Sequence, residues 1–135
     1  MEACEVSAGG ASSQVMVLRA IANLLGGYRY RYSCELGLHD ALQKVLEDAK
    51  FNVERERVLD SKSRVDLWVD GIAIEVKVNG SLSAALHQVG RYIRHPDVDG
   101  VVLVSTERWA AQSMQQRPDW GGKPFEMVHA RRLSL

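Results

Sequence analysis

Asp66, Glu75 and Lys77 have the types and the spacing to bind a divalent cation and to act beside it. They lie in Arg64-Val65-Asp66-Leu67-Trp68-Val69-Asp70-Gly71-Ile72-Ala73-Ile74-Glu75-Val76-Lys77-Val78, which reads as two short strands joined by a tight turn. Asp-Gly is a strong hairpin signal, because a type I′ turn needs positive φ at both central residues. That turn sets Val69 opposite Ile72, Leu67 opposite Ile74 and Val65 opposite Val76, three apolar pairs on one face. The same register places Asp66 opposite Glu75 and Arg64 opposite Lys77. Like charges directly across a ribbon destabilise it, and two carboxylates with Cβ atoms ~5 Å apart are best explained by a cation between them. The competing reading is a solvated hairpin face that happens to carry alternating charges.

The donor set is one for a hard ion. Mg²⁺ takes oxygen ligands at ~2.0–2.1 Å, typically one or two carboxylates completed by substrate phosphate. Asp66 and Glu75 supply such oxygens, and the backbone carbonyl of Val76 is a candidate third ligand. A bound metal polarises a scissile phosphate and acidifies an attacking water. Lys77 falls on the same side as Glu75, placed to orient that water or to balance charge developing on phosphorus. Gln88 and Tyr92, four residues apart on a later helix, share a stripe at the rim of its core face and are candidates to hold the lysine or a phosphate.

Around these residues the pattern gives an alternation of helices and strands. Residues 12–25 carry Val17, Ile21, Leu24 and Leu25 at helical spacing, ended by Gly26-Gly27. Tyr28-Arg29-Tyr30-Arg31-Tyr32 reads as an extended connector or as a surface touching nucleic acid, with Arg on phosphate and Tyr on a base. Ser33 resembles an N-cap for a helix through about Lys50, with Leu38, Ala41, Leu42, Val45 and Ala49 facing the core. A strand over 51–59, the hairpin, and a helix over 81–94 stopped before Pro96 follow, the helix with Leu82, Leu86, Val89 and Ile93 as its core stripe. Val101 to Val104 reads as a buried strand, 107–116 as a last helix and 124–129 as a last strand. The fold class implied is α/β (α+β), a central mixed sheet with helices on its faces.

Composition bounds the function. The 135 residues are 46% hydrophobic and 25% charged, as expected for one globular domain. No apolar run approaches the ~20 residues of a membrane span. Glu2 and Glu5 stand where a secretory signal carries basic residues, and two cysteines make no disulfide framework, so a cytoplasmic location is expected. Zero net charge argues against a protein that coats nucleic acid by charge alone. His87, His95 and His129 show no zinc-ligand spacing with either cysteine.

Asp66, then Glu75-Val76-Lys77, then Gln88-x-x-x-Tyr92 resembles the core of the PD-(D/E)XK nuclease superfamily, nearest its RecB-like and phage-type branch. The resemblance covers about residues 34–105 and implies a restriction-endonuclease-like core in the order αβββαβ, with 1–27 as a helical extension and 106–135 as a C-terminal helix and strand of the same domain. It also implies a further metal ligand from the first core helix: Glu35 first, His39 second, four apart on one face. Val65 stands where a proline often precedes the aspartate in that superfamily. The implied activity is Mg²⁺- or Mn²⁺-dependent hydrolysis of DNA, structure-selective or weakly sequence-specific. Two rival readings are a non-catalytic DNA-binding subunit of the same fold, and an interaction protein in which Val17, Ile21 and Leu24 form a homodimer seam.

Overall fold

The computed structural model describes residues 2–112 and 120–133, with side chains from residue 13 onward. Its elements are α1 (Glu2–Gly26), β1 (Arg29–Tyr30), α2 (Glu35–Asp48), β2 (Glu54–Asp60), β3 (Ser63–Val69), β4 (Ile72–Lys77), α3 (Leu82–Ile93), β5 (Gly100–Ser105), a 3₁₀ turn (Arg108–Ala111), β6 (Phe125–His129) and β7 (Arg131–Arg132). Five strands form a mixed sheet in the order β2-β3-β4-β5-β6. The first two pairings are antiparallel and the last two parallel. The chain is therefore α/β, with a mixed sheet flanked by helices. None of its described helices is long and apolar enough to cross a membrane.

Helices cover both faces of the sheet, so its inner strands are apolar on both sides. One cluster joins α1 and α2 to Leu67, Val69, Ile72, Ile74, Val76, Val102 and Val104. The opposite cluster joins α3 to Val65, Trp68, Ala73, Val101, Leu103 and Phe125. Gly100 is held to glycine by packing: a Cβ there would lie 2.7 Å from Leu18 Cδ1 and 3.0 Å from Pro124 Cγ. Trp120 packs edge-on against Phe125, ring centroids 5.1 Å apart, a packing role as its position by the sheet would suggest. Ile21 is fully buried, with Val17 and Leu24 against the same cluster, so the proposed dimer seam is taken up by the chain's own sheet.

Several local expectations shift. The N-cap of α2 is Cys34 rather than Ser33. The helix ends at Asp48, and Lys50, just past its cap with φ of 74°, closes a Schellman-type turn through Phe51 N to Leu46 O at 3.0 Å and Lys50 N to Glu47 O at 2.9 Å. Leu46 lies in the core, and Ala49, past the last buried turn, is exposed. The strand expected over 51–59 runs over Glu54–Asp60. The last helix is reduced to the 3₁₀ turn, and the expected stretch from 113 on lies outside the described residues. Arg29 and Tyr30 are not a plain connector: they pair in parallel with Arg131 and Arg132, a partner about 100 residues away that no local pattern announces.

The largest correction concerns the hairpin. Its turn is as expected, with φ of 46° at Asp70 and 91° at Gly71. Val69–Ile72 and Leu67–Ile74 pair as expected, but the β3–β4 ladder stops there, and neither Val65–Val76 nor Asp66–Glu75 is a backbone pair. Val65 instead packs in the α3 cluster, on the opposite face from Leu67 and Val69. The neighbouring strand has its own unusual residue at this level. Arg55 pairs with Leu67 and Arg57 with Val65, and Glu56 between them has φ of 52°. The two-residue alternation breaks between Val65 and Leu67, opposite Glu56, while the β2–β3 register itself shifts only between Val58 and Asp60.

Candidate active site

The site lies where β3 parts from β4. Asp66 Oδ2 accepts a hydrogen bond from Val76 N at 2.8 Å, so a carboxylate takes the place of the missing backbone partner. A strand residue's N–H and C=O point to the same edge. The Val76 carbonyl therefore faces the same gap, whereas the Lys77 carbonyl turns to the other edge and accepts from Thr106 N at 3.2 Å. Asp66, Glu75 and Val76 thus meet as the sequence suggests, by a side-chain bridge rather than by direct cross-strand pairing.

Glu75 is 2% exposed. Its Oε2 lies 3.3 Å from Lys77 Nζ, and its Oε1 is within hydrogen-bond distance of the Tyr92 hydroxyl at 3.1 Å. Burial, and then the neighbouring Asp66 carboxylate, push the Glu75 carboxyl up to about 8, with Lys77 opposing them. Tyr92 is not at the rim of α3 but fully buried at the sheet surface. Its hydroxyl receives Gln88 Nε2 at 2.7 Å and lies 2.9 Å from the carbonyl of Arg64. A phenol has one proton, so it serves Arg64 or Glu75 but not both. A protonated Glu75 resolves this by donating to the phenol oxygen, leaving the phenol proton for Arg64. Burial, and then the Glu75 charge, hold the Tyr92 hydroxyl well above the usual phenol range. Gln88 and Tyr92 therefore grip Glu75 rather than Lys77.

The opposite helical layer contributes His39. It is 5% exposed, its Nε2 lies 3.9 Å from Asp66 Oδ2, and neither ring nitrogen has a hydrogen-bond partner. Leaving a buried polar group unpaired costs on the order of 1–3 kcal/mol, so an orphaned imidazole calls for an explanation. At 3.9 Å the pair is too far apart for a hydrogen bond, yet within the ~4.2 Å that two donors can span across one ion at ~2.1 Å from each. Glu35, one turn earlier, is exposed in the first turn of α2. The order in which the sequence ranks these two residues is thus the reverse of their burial. Helical spacing puts both on one face, and only tertiary packing separates them.

Asp66, Glu75, the Val76 carbonyl and His39 fit a small divalent ion in chemistry and neighbourhood. Among the described residues no three His, Cys, Asp or Glu side chains already converge as the ligands of a bound ion do. Closure would need a small movement of Asp66, whose side chain is 25% exposed and therefore the freest of the three. The sequence did not single out the Arg64 carbonyl, a backbone group with no sequence signature. No family model matches the chain, and no curated protein or solved structure shows significant similarity to it.

Proposed function

We propose that the chain is a small metal-dependent DNA nuclease with a restriction-endonuclease-like core of the PD-(D/E)XK kind. The observation that carries this reading is the juxtaposition of Asp66 with a deeply buried Glu75 beside Lys77, with the orphaned His39 imidazole 3.9 Å from Asp66. The order α2-β2-β3-β4-α3-β5 agrees with the αβββαβ core. Asp66, Glu75, the Val76 carbonyl and His39 would hold Mg²⁺ or Mn²⁺, with His39 preferred to Glu35. An imidazole donor favours Mn²⁺, since Mg²⁺ prefers oxygen alone.

The cation would supply Lewis-acid activation of the scissile phosphate and a more acidic attacking water. The protein's own groups do the rest. Val76 N fixes Asp66 Oδ2, the oxygen that faces the His39 imidazole. Tyr92, itself held by Gln88, fixes Glu75. Lys77, 30% exposed, reaches solvent beside Glu75 and is placed to orient the nucleophile or to neutralise charge on the phosphate. DNA as substrate and the two-cysteine composition go with a cytoplasmic setting in a bacterial or phage-infected cell.

The test is cleavage of labelled single-stranded, duplex and four-way-junction DNA with Mg²⁺, Mn²⁺ or EDTA, beside Lys77→Ala. Cutting that requires metal and is lost in the variant is expected. DNA binding without cutting on any substrate would replace this reading with a non-catalytic module of the same fold.

A further inference from the structure

Beyond the carboxylate site, the two-stranded ribbon of β1 and β7 carries an excess of positive charge, of which only Arg132 is engaged by the fold among the described residues. Arg29 lies directly across from Arg131, and Tyr30 across from Arg132. Like charges paired across a ribbon are unfavourable unless something neutralises them. Arg29, Arg31, Arg131 and Arg132 are all exposed. Among the described residues, no ion pair or side-chain hydrogen bond engages Arg29, Arg31 or Arg131. Neither 28–32 nor 130–133 contains an acid, although the chain as a whole has net charge zero. Beside them Tyr28 is 51% exposed, a large aromatic side chain left at the surface.

The ribbon is firmly mounted. Tyr30 is 2% exposed, and its hydroxyl donates to the Leu25 carbonyl. Leu133 N donates to Tyr30 O at 2.8 Å. Arg132 lies over the Tyr32 ring at 4.8 Å and donates to the Tyr32 carbonyl at 2.7 Å, so its charge is held in one direction. Its placement is just as specific. Lys77, Ser105 and His129 lie side by side across β4, β5 and β6, and Arg131 follows two residues later. At about 4.8 Å per strand, His129 is roughly 10 Å from Lys77 along the row, at the same carboxyl end of the parallel strands.

The geometry points to the β1–β7 ribbon as a second polynucleotide-binding surface, its arginines on backbone phosphates and Tyr28 stacked on an unpaired base of a single strand running past Lys77. It deepens the proposed nuclease reading and rests on it for the identity of the polyanion. Guanidinium groups grip phosphate, and an exposed tyrosine gives a sequence-tolerant stacking platform for unpaired bases. At about 3.4 Å per nucleotide, a strand leaving the site would reach the ribbon within roughly five nucleotides.

The test is fluorescence anisotropy of labelled DNA of about 20 nucleotides, single-stranded or duplex, over about 50–200 mM NaCl. It uses the full chain carrying Lys77→Ala, in EDTA, so that nothing is cut. Adding Arg29→Gln with Arg131→Gln should weaken single-strand binding and flatten the salt slope by about 1.4, or about 0.7 per lost phosphate contact. Adding Tyr28→Ala should cost about 5- to 100-fold on single-stranded DNA and little on duplex. Arg19→Gln with Lys44→Gln, an equal loss of exposed charge elsewhere, should leave both slopes in place. An unchanged slope in the ribbon variant, an equal effect of the control pair, or competition by poly-L-glutamate as strong as by DNA would each overturn the inference. Wild-type cleavage is measured separately. Cutting without ribbon-dependent binding removes this inference alone, and ribbon-dependent binding without cutting removes the nuclease reading alone.

Discussion

Replacing Glu75 with glutamine should make the metal-free protein more stable, and increasingly so as pH rises. The folded state holds the Glu75 proton up to about pH 8, whereas a glutamate in the unfolded chain loses it near 4.5. Between those values the folded state binds more protons than the unfolded state, so stability falls as pH rises and levels off above about 8. At about 1.4 kcal/mol per pH unit, that difference makes the cost roughly 1 kcal/mol at pH 5.5, roughly 3 at pH 7 and about 4–5 at pH 9. Glutamine is nearly isosteric, carries no charge at any pH and escapes the cost. Urea unfolding of wild type and Glu75→Gln in EDTA at about pH 5.5, 7 and 9 measures it. The gap between the two should widen by about 3 kcal/mol from the lowest pH to the highest. A gap constant to within about 0.5 kcal/mol would show that Glu75 ionises as freely folded as unfolded, and the electrostatic account of the site would fail. Saturating Mn²⁺ should close the gap for wild type only, because an ion that binds the ionised carboxylate stabilises the folded state.

His39→Leu should stabilise the metal-free fold by about 1 kcal/mol, since two unpaired buried nitrogens disappear, while weakening Mn²⁺ binding; unfolding and calorimetry together check both signs. Tyr92→Phe removes the hydroxyl between Gln88, Arg64 and Glu75 and should cost about 1–3 kcal/mol in unfolding experiments. It also removes a hydrogen bond that helps Glu75 ionise, so the pH profile of cleavage should move to higher pH. Gly100→Ala should destabilise by about 1–3 kcal/mol by overpacking against Leu18 and Pro124, with Mn²⁺ affinity of the folded fraction unchanged.

What the sequence revealed, and what it hid, follows the range of the forces involved. The Asp70-Gly71 turn and the two pairs beside it are set by local dihedral preferences, and they stand as expected. Val65 and Asp66 lie only a few residues farther, but there the β3–β4 ladder has ended and Val65 packs on the opposite face from Leu67, which no pattern within the hairpin reveals. In α3 the period of 3.6 shows that Val89 and Ile93 face inward. It could not show that Tyr92 would be wholly buried, because that follows from the partners waiting for its hydroxyl. In α2, Glu35 and His39 are equivalent by spacing and opposite in burial, since Glu35 faces solvent and His39 lies beside Asp66. The β1–β7 pairing joins segments about 100 residues apart and is a tertiary event throughout.

Calorimetric titration of wild type and Asp66→Asn with Mn²⁺ tests most directly whether a cation belongs between the carboxylates. One saturable site in wild type is expected, with proton release at pH 7 as Glu75 ionises and a large loss of affinity in Asp66→Asn. No binding by wild type, or binding that is unchanged in the variant and releases no proton, would contradict it.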